Sequence, residues 1–183
     1  MKRDVITKIE IDVSGQLHIS PGQNKFVQIY RTAREVHWDL KRQTLYSPVP
    51  KGWTYVDWFS HIVKVVKEEC FCQLHLTNET VWVNVPESIR DEIEQVGDDN
   101  RLILIRQIDV FEKNSDPIFD KIVIEDFDLA TVKEIIGNIE DDIQLYNEYK
   151  IEGKLQVYLE NLGYEFFPKK FDYFLACYQD SNH

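Results

Sequence analysis

Two stretches of this chain carry residue types that can do chemistry. In Arg34–Leu40, REVHWDL, the residues Glu35, His37 and Asp39 stand two apart. On a strand that spacing turns all three to one face, with Val36, Trp38 and Leu40 on the other. Such a trio can bind a divalent metal, or a carboxylate can orient the imidazole as a base. An ordinary half-buried strand carries the same polar face. The second stretch is Asn138–Tyr149, NIEDDIQLYNEY. Here Glu140, Asp141, Asp142 and Glu148 stand beside Tyr146 and Tyr149 with no basic residue.

The acidic stretch does not follow the calcium-loop pattern D-x-[DN]-x-[DN]-G with a later Glu. As a catalytic carboxylate pair it lacks any distinguishing partner. Two readings remain, a solvated acidic loop and a docking surface for a basic protein. Glu125, Asp126 and Asp128 in EDFDLA, just before a predicted helix, extend the second reading. Aromatic rings supply contact area at interfaces, and carboxylates steer and select.

Other chemistries find less support. Cys70 and Cys72 share a strand face from which His75 points away, and no second cluster completes a tetrahedral site. The cysteines read as small buried hydrophobes, and no metal is expected. There is no GxSxG elbow, SxxK, P-loop or GxGxxG, so no cofactor is expected, although a triad assembled from distant positions would leave no such motif. The Trp/Tyr group in KGWTYVDWF is either a stacking platform for a base or sugar, or core. Trp58 and Phe59 fall on a helical apolar stripe, which favours core.

Charge narrows the partners. The formal net charge is -11, which repels phosphate backbones and anionic membrane surfaces. Residues 1–97 hold 12 Lys/Arg and 13 Asp/Glu, whereas 98–183 hold 9 and 19. The second half thus carries nearly all the excess. No apolar segment follows MKRDVITKIEID as in a signal peptide, and no run has transmembrane length. Three cysteines make no disulfide framework, so a cytoplasmic location is expected.

These residues need elements to position them. VITKIEIDV alternates apolar and polar from Val5 to Val13, and QLHIS, KFVQIYR, REVHWDL and RQTLYS read as further strands. Thr54 and Asp57 have capping-box spacing for a helix whose apolar side is Trp58, Phe59, Ile62, Val63 and Val66. FCQLHLT and TVWVN are strand-like, and Pro86 opens a second helix. VGDDN marks a boundary, giving a near-neutral domain 1–97 and an acidic domain 98–183. In the second, RLILIRQIDVFEK and FDKIVIEDF form a hairpin. Asp128 caps a helix ended by Gly137, another helix runs over 153–162, and KFDYFLACYQ closes as a strand. The predicted class is α+β: two small antiparallel-sheet units, each with one or two packed helices, the second ββααβ-like.

The second half, through IEDFDLATVKEIIG, QLYNEYKI and the closing FDYFLACYQ, resembles small bacterial immunity-type domains of contact-dependent or polymorphic toxin systems. The first half, through VHWD, PKGWTYVDWF and VWVNVP, resembles uncharacterised bacterial proteins. The resemblance implies a cytoplasmic, non-enzymatic protein that neutralises a cognate basic toxin, often a nuclease, without itself touching nucleic acid or membrane. The partner-binding residues expected on this reading are Glu125, Asp126, Asp128, Glu140, Asp141, Asp142, Tyr146, Glu148 and Tyr149. The alternative is a small metal-assisted hydrolase using the Glu35/His37/Asp39 face.

Overall fold

The computed structural model describes residues 1–31, 35–97, 101–137, 142 and 144–180. The chain forms two compact units, Met1–Ile103 and Leu104–His183, both mixtures of sheet and helix as the α+β class requires. The first unit runs past the VGDDN stretch, because the Leu102 N–H donates to the Leu76 carbonyl at 2.8 Å.

The first unit holds β1 (Lys2–Ile11), β2 (Leu17–Pro21), β3 (His37–Asp39), β4 (Thr44–Tyr46), α1 (Tyr55–Glu69), β5 (Cys72–His75), β6 (Val81–Val83) and α2 (Glu87–Gly97). The sheet order is β3-β4-β2-β1-β5, with β6 also on β1. Most pairs are antiparallel, but β5 and β6 run parallel to successive stretches of β1. The departure from an all-antiparallel unit follows from α1, a crossover that returns the chain in its original direction. A bulge between Ile6 and Lys8 resets the alternation of β1. Ile6 and Ile9, which strict alternation would place on opposite faces, are both fully buried. Val13, expected within the strand, lies past its end and is fully exposed.

KFVQIYR is not a strand. It forms a turn and a short 3-10 helix over Ile29–Arg31. Phe26 and Ile29 are buried while Val27 and Tyr30 are exposed, a period of three in place of two. The Thr54 capping box forms in full: Thr54 Oγ1 accepts from the Asp57 N–H, and Asp57 accepts from the Thr54 N–H. The helix then buries Trp58, Phe59, Ile62, Val65 and Val66 against Ile9, Leu17, Ile19 and Leu45 of the sheet.

The second unit runs β7 (Leu104–Glu112), β8 (Ile118–Val123), α3 (Leu129–Ile136), β9 (Tyr149–Lys150), α4 (Gly153–Asn161) and β10 (Phe171–Gln179). Its antiparallel sheet has the order β8-β7-β10-β9. Ile108 and Val110 of β7 and Phe171, Tyr173 and Leu175 of β10 face Val132, Leu155 and Leu159 of the helices. The element order is ββαβαβ. The added strand, β9, ends the acidic stretch by pairing Tyr149 and Lys150 with Leu175 and Phe174.

Candidate functional site

The acidic site is organised by a residue the sequence reading passed over. Arg106 occupies a core-facing position of β7, between Leu104 and Ile108, and is 3% exposed. Its guanidinium donates to the Gln144 and Leu145 carbonyls, each at 2.8 Å. It also lies over the Phe127 ring, 5.0 Å from the centroid. Phe127 belongs to EDFDLA, and Gln144 and Leu145 to the acidic stretch. One buried cation therefore anchors both carboxylate-bearing segments. The signal was present in RLILIRQIDVFEK: a single arginine in register with apolar inward positions.

Asp142 completes the anchor. It is buried and accepts from the Tyr146 and Asn147 N–H groups and the Tyr149 hydroxyl, each at 2.8 Å. Burial pushes its pKa up. The bonds from Asn147, Tyr146 and Tyr149, with the charge of Arg106, outweigh that and hold it below the usual carboxylate range. The Tyr149 phenol is pushed up to about 12 by burial and by its bond to Asp142. Asp142, expected on the docking surface, is therefore a correction: it closes its own loop, and both its oxygens are engaged. Tyr149 is half-buried for the same reason.

Of the remaining expected residues, Glu125, Asp126, Tyr146 and Glu148 are exposed on the anchored segments. Asp128 is exposed but occupied as the N-cap of α3, accepting from the Ala130 N–H and the Thr131 hydroxyl. Those bonds keep it ionised below its ordinary range. Glu140 and Asp141 lie outside the described residues.

The Glu35/His37/Asp39 trio is not assembled. Glu35 has φ +64° and lies outside β3, so strand alternation does not carry it to the face of His37. His37 packs on the Tyr46 ring, and Asp39 accepts from the Lys41 and Arg42 N–H groups at the turn. The face does hold a polar network, centred on His18. Arg42 reaches Glu10 at 2.7 Å, Asp12 at 3.2 Å and His18 Nε2 at 3.1 Å. Nε2 also lies 3.1 Å from Asp12 Oδ2, and Nδ1 lies 2.9 Å from Thr44 Oγ1. Burial and the Arg42 charge, against the pull of Asp12, lower the His18 pKa. A neutral, buried imidazole with both nitrogens engaged holds strands together and is not poised as a base.

Among the described residues, no group of three or more His, Cys, Asp or Glu is arranged to hold a metal. The Cys72 thiol is pushed up to about 11 by burial, and Cys70 is raised likewise, which leaves neither as a thiolate nucleophile. No helix among the described residues is long and apolar enough to cross a membrane.

Residues 4–80 match the family described as Integron Cassette Protein Hfx_Cass5. A solved structure from the mobile metagenome of North West Arm Sewage Outfall, the integron cassette protein Hfx_Cass5, is 39% identical to this chain and covers 54% of it, while 98% of that chain is matched. The first half of the chain belongs to the Hfx_Cass5 family. Membership rests on sequence, since the TM-score is 0.28 and bears no structural argument. The Hfx_Cass5 match agrees with the first half's likeness to uncharacterised bacterial proteins. Residues 105–176 match a domain of unknown function, DUF7683. No curated protein matches the chain.

Proposed function

We propose that the chain is a cytoplasmic, non-enzymatic bacterial immunity protein whose second unit binds and neutralises a basic toxin domain, a nuclease by class. The observation that carries this reading is the Arg106 anchor, which gathers two acidic segments on one support. Exposed on them are Glu125, Asp126 and Glu148, with Tyr146 as an aromatic contact. Residues 104–183 hold 8 Lys/Arg against 17 Asp/Glu, and that field speeds encounter with a cationic surface. Positions fixed from within lose little freedom on docking. The resemblance of IEDFDLATVKEIIG and FDYFLACYQ to immunity-type domains points the same way.

The test is co-expression with the protein encoded by the neighbouring gene. The wild-type chain is expected to abolish that protein's toxicity and to bind it with an association rate that falls with salt. The triple variant Glu125→Lys, Asp126→Lys, Glu148→Lys should slow association by about tenfold or more at low salt and flatten the salt dependence. Unchanged association by a folded triple variant removes the acidic surface from the reading. Unrelieved toxicity with the wild-type chain removes that protein as the partner.

A further inference from the structure

A second candidate site lies within the first unit. A cleft of about 430 Å³ is lined by Gln16, Glu35, Val49, Lys51, Trp53 and Trp58, among others. That volume is within the range of small-molecule sites, roughly 300–1,000 Å³. Its walls are tied together. The Tyr55 hydroxyl donates to the Gly15 carbonyl at 3.1 Å, joining the β1–β2 turn to the start of α1. Gln16 Nε2 donates to the Ser47 carbonyl at 3.2 Å, joining that turn to the loop after β4.

The lining is unusual for plain surface. Trp53 is 47% exposed, although a large indole is normally covered. It is held at 4.8 Å from Trp58, and His61 sets its edge against both rings. The Trp58 Nε1–H is buried and finds no acceptor among the described residues. Glu35 and Lys51 make no ion pair, with each other or with any described residue. Glu35 holds its place at φ +64°, a conformation costly for a residue with a side chain.

We infer that this cleft binds a neutral saccharide, with Trp53 as the stacking surface and Glu35, Lys51 and Gln16 as its polar contacts. One carboxylate and one ammonium in the same cleft leave no net charge to select an ion. A carboxylate only accepts hydrogen bonds and an ammonium only donates. A hydroxyl does both, so a ring edged with hydroxyls serves the two groups at once while its apolar face covers the exposed indole.

The test is tryptophan fluorescence of the full chain, titrated with cellotriose, maltotriose and chitotriose. Phenylalanine, choline and adenine serve as zwitterionic, cationic and flat aromatic controls. A saturable change with at least one saccharide and none with the controls is expected. Trp53→Ala should abolish it. Glu35→Gln should weaken binding while leaving the circular dichroism unchanged. No response to any of the three saccharides, an undiminished response in Trp53→Ala, or saturable binding of a control instead would overturn the inference.

Discussion

Replacing Arg106 with methionine isolates what holds the acidic segments together. Methionine keeps most of the stem volume and removes the guanidinium. The Gln144 and Leu145 carbonyls lose their donor, and Phe127 loses its cation. Hydrogen bonds from a charged donor contribute about 1.5–3 kcal/mol each. Asp142 also loses the nearby positive charge that, after its three hydrogen bonds, helps keep it ionised. The two guanidinium bonds set the scale, so the expected loss is about 3–5 kcal/mol. All four tryptophans, Trp38, Trp53, Trp58 and Trp82, lie in the first unit. In urea unfolding of the full chain, tryptophan emission therefore reports the first unit, and far-ultraviolet circular dichroism reports both. Arg106→Met should move the dichroism transition of the second unit to lower urea and leave the emission midpoint in place. Adding Asp142→Asn to Arg106→Met should cost less than the sum of the single changes, because it removes the stranded charge. A loss below about 1 kcal/mol, or strict additivity in the double variant, would refute the anchor as the organising element.

Two further outcomes follow. Tyr149 and Tyr178 are both pushed up to about 12, Tyr149 chiefly by burial and then by Asp142, Tyr178 by its bond to Asp109 and then by burial. A phenol raised in the fold adds stability that is complete below its unfolded value, about 10, and is lost as pH climbs through the folded value. Stability of the second unit should therefore fall between about pH 10 and 12. Phenolate absorbance should show a late-titrating class that Asp142→Asn reduces, and a single class at the ordinary value would contradict the geometry. In the first unit, Thr54→Ala removes the capping oxygen of α1 and should cost about 1 kcal/mol, with Thr54→Ser restoring most of it. The tryptophan-detected urea midpoint measures both, and an unchanged midpoint in Thr54→Ala would remove the cap from the account of α1.

What could be read in the sequence was what is set locally. The capping box of Thr54 and Asp57 depends on three residues and one helix, and it is there in full. Asp128 caps α3 and Gly137 ends it for similar local reasons. What escaped depends on distant contacts. The bulge after Ile6 is invisible in a pattern that alternates, and only the pairing with β2 brings Ile6 inward. Phe26 and Ile29 fit a strand by composition, yet burial at a spacing of three needs the tighter turn. In NIEDDIQLYNEY the residue types alone do not say which carboxylate turns inward. That choice is made by the Tyr146 and Asn147 N–H groups and by a guanidinium on β7. The EVHWD trio failed through one residue, Glu35, whose left-handed backbone breaks the alternation.

The carboxylates of the second unit divide by what they touch. Asp142 closes its loop, Asp128 caps a helix, Asp109 takes the Tyr178 hydroxyl at 2.6 Å, and Asp172 pairs with Lys113. Each offsets the cost of its charge inside the unit. Glu125, Asp126 and Glu148 are exposed and make no hydrogen bond or ion pair among the described residues. Like charges that gain nothing from the fold only repel one another, and that repulsion destabilises the compact state. Solubility alone asks for dispersed charge, whereas these residues ride on two segments that share the buried Arg106. The basic partner proposed above would reverse the sign of the interaction: the repulsion that weakens the free unit would become attraction across the interface. Salt then acts in opposite directions on the two states, steadying the free unit by screening its self-repulsion and loosening the complex by screening its attraction.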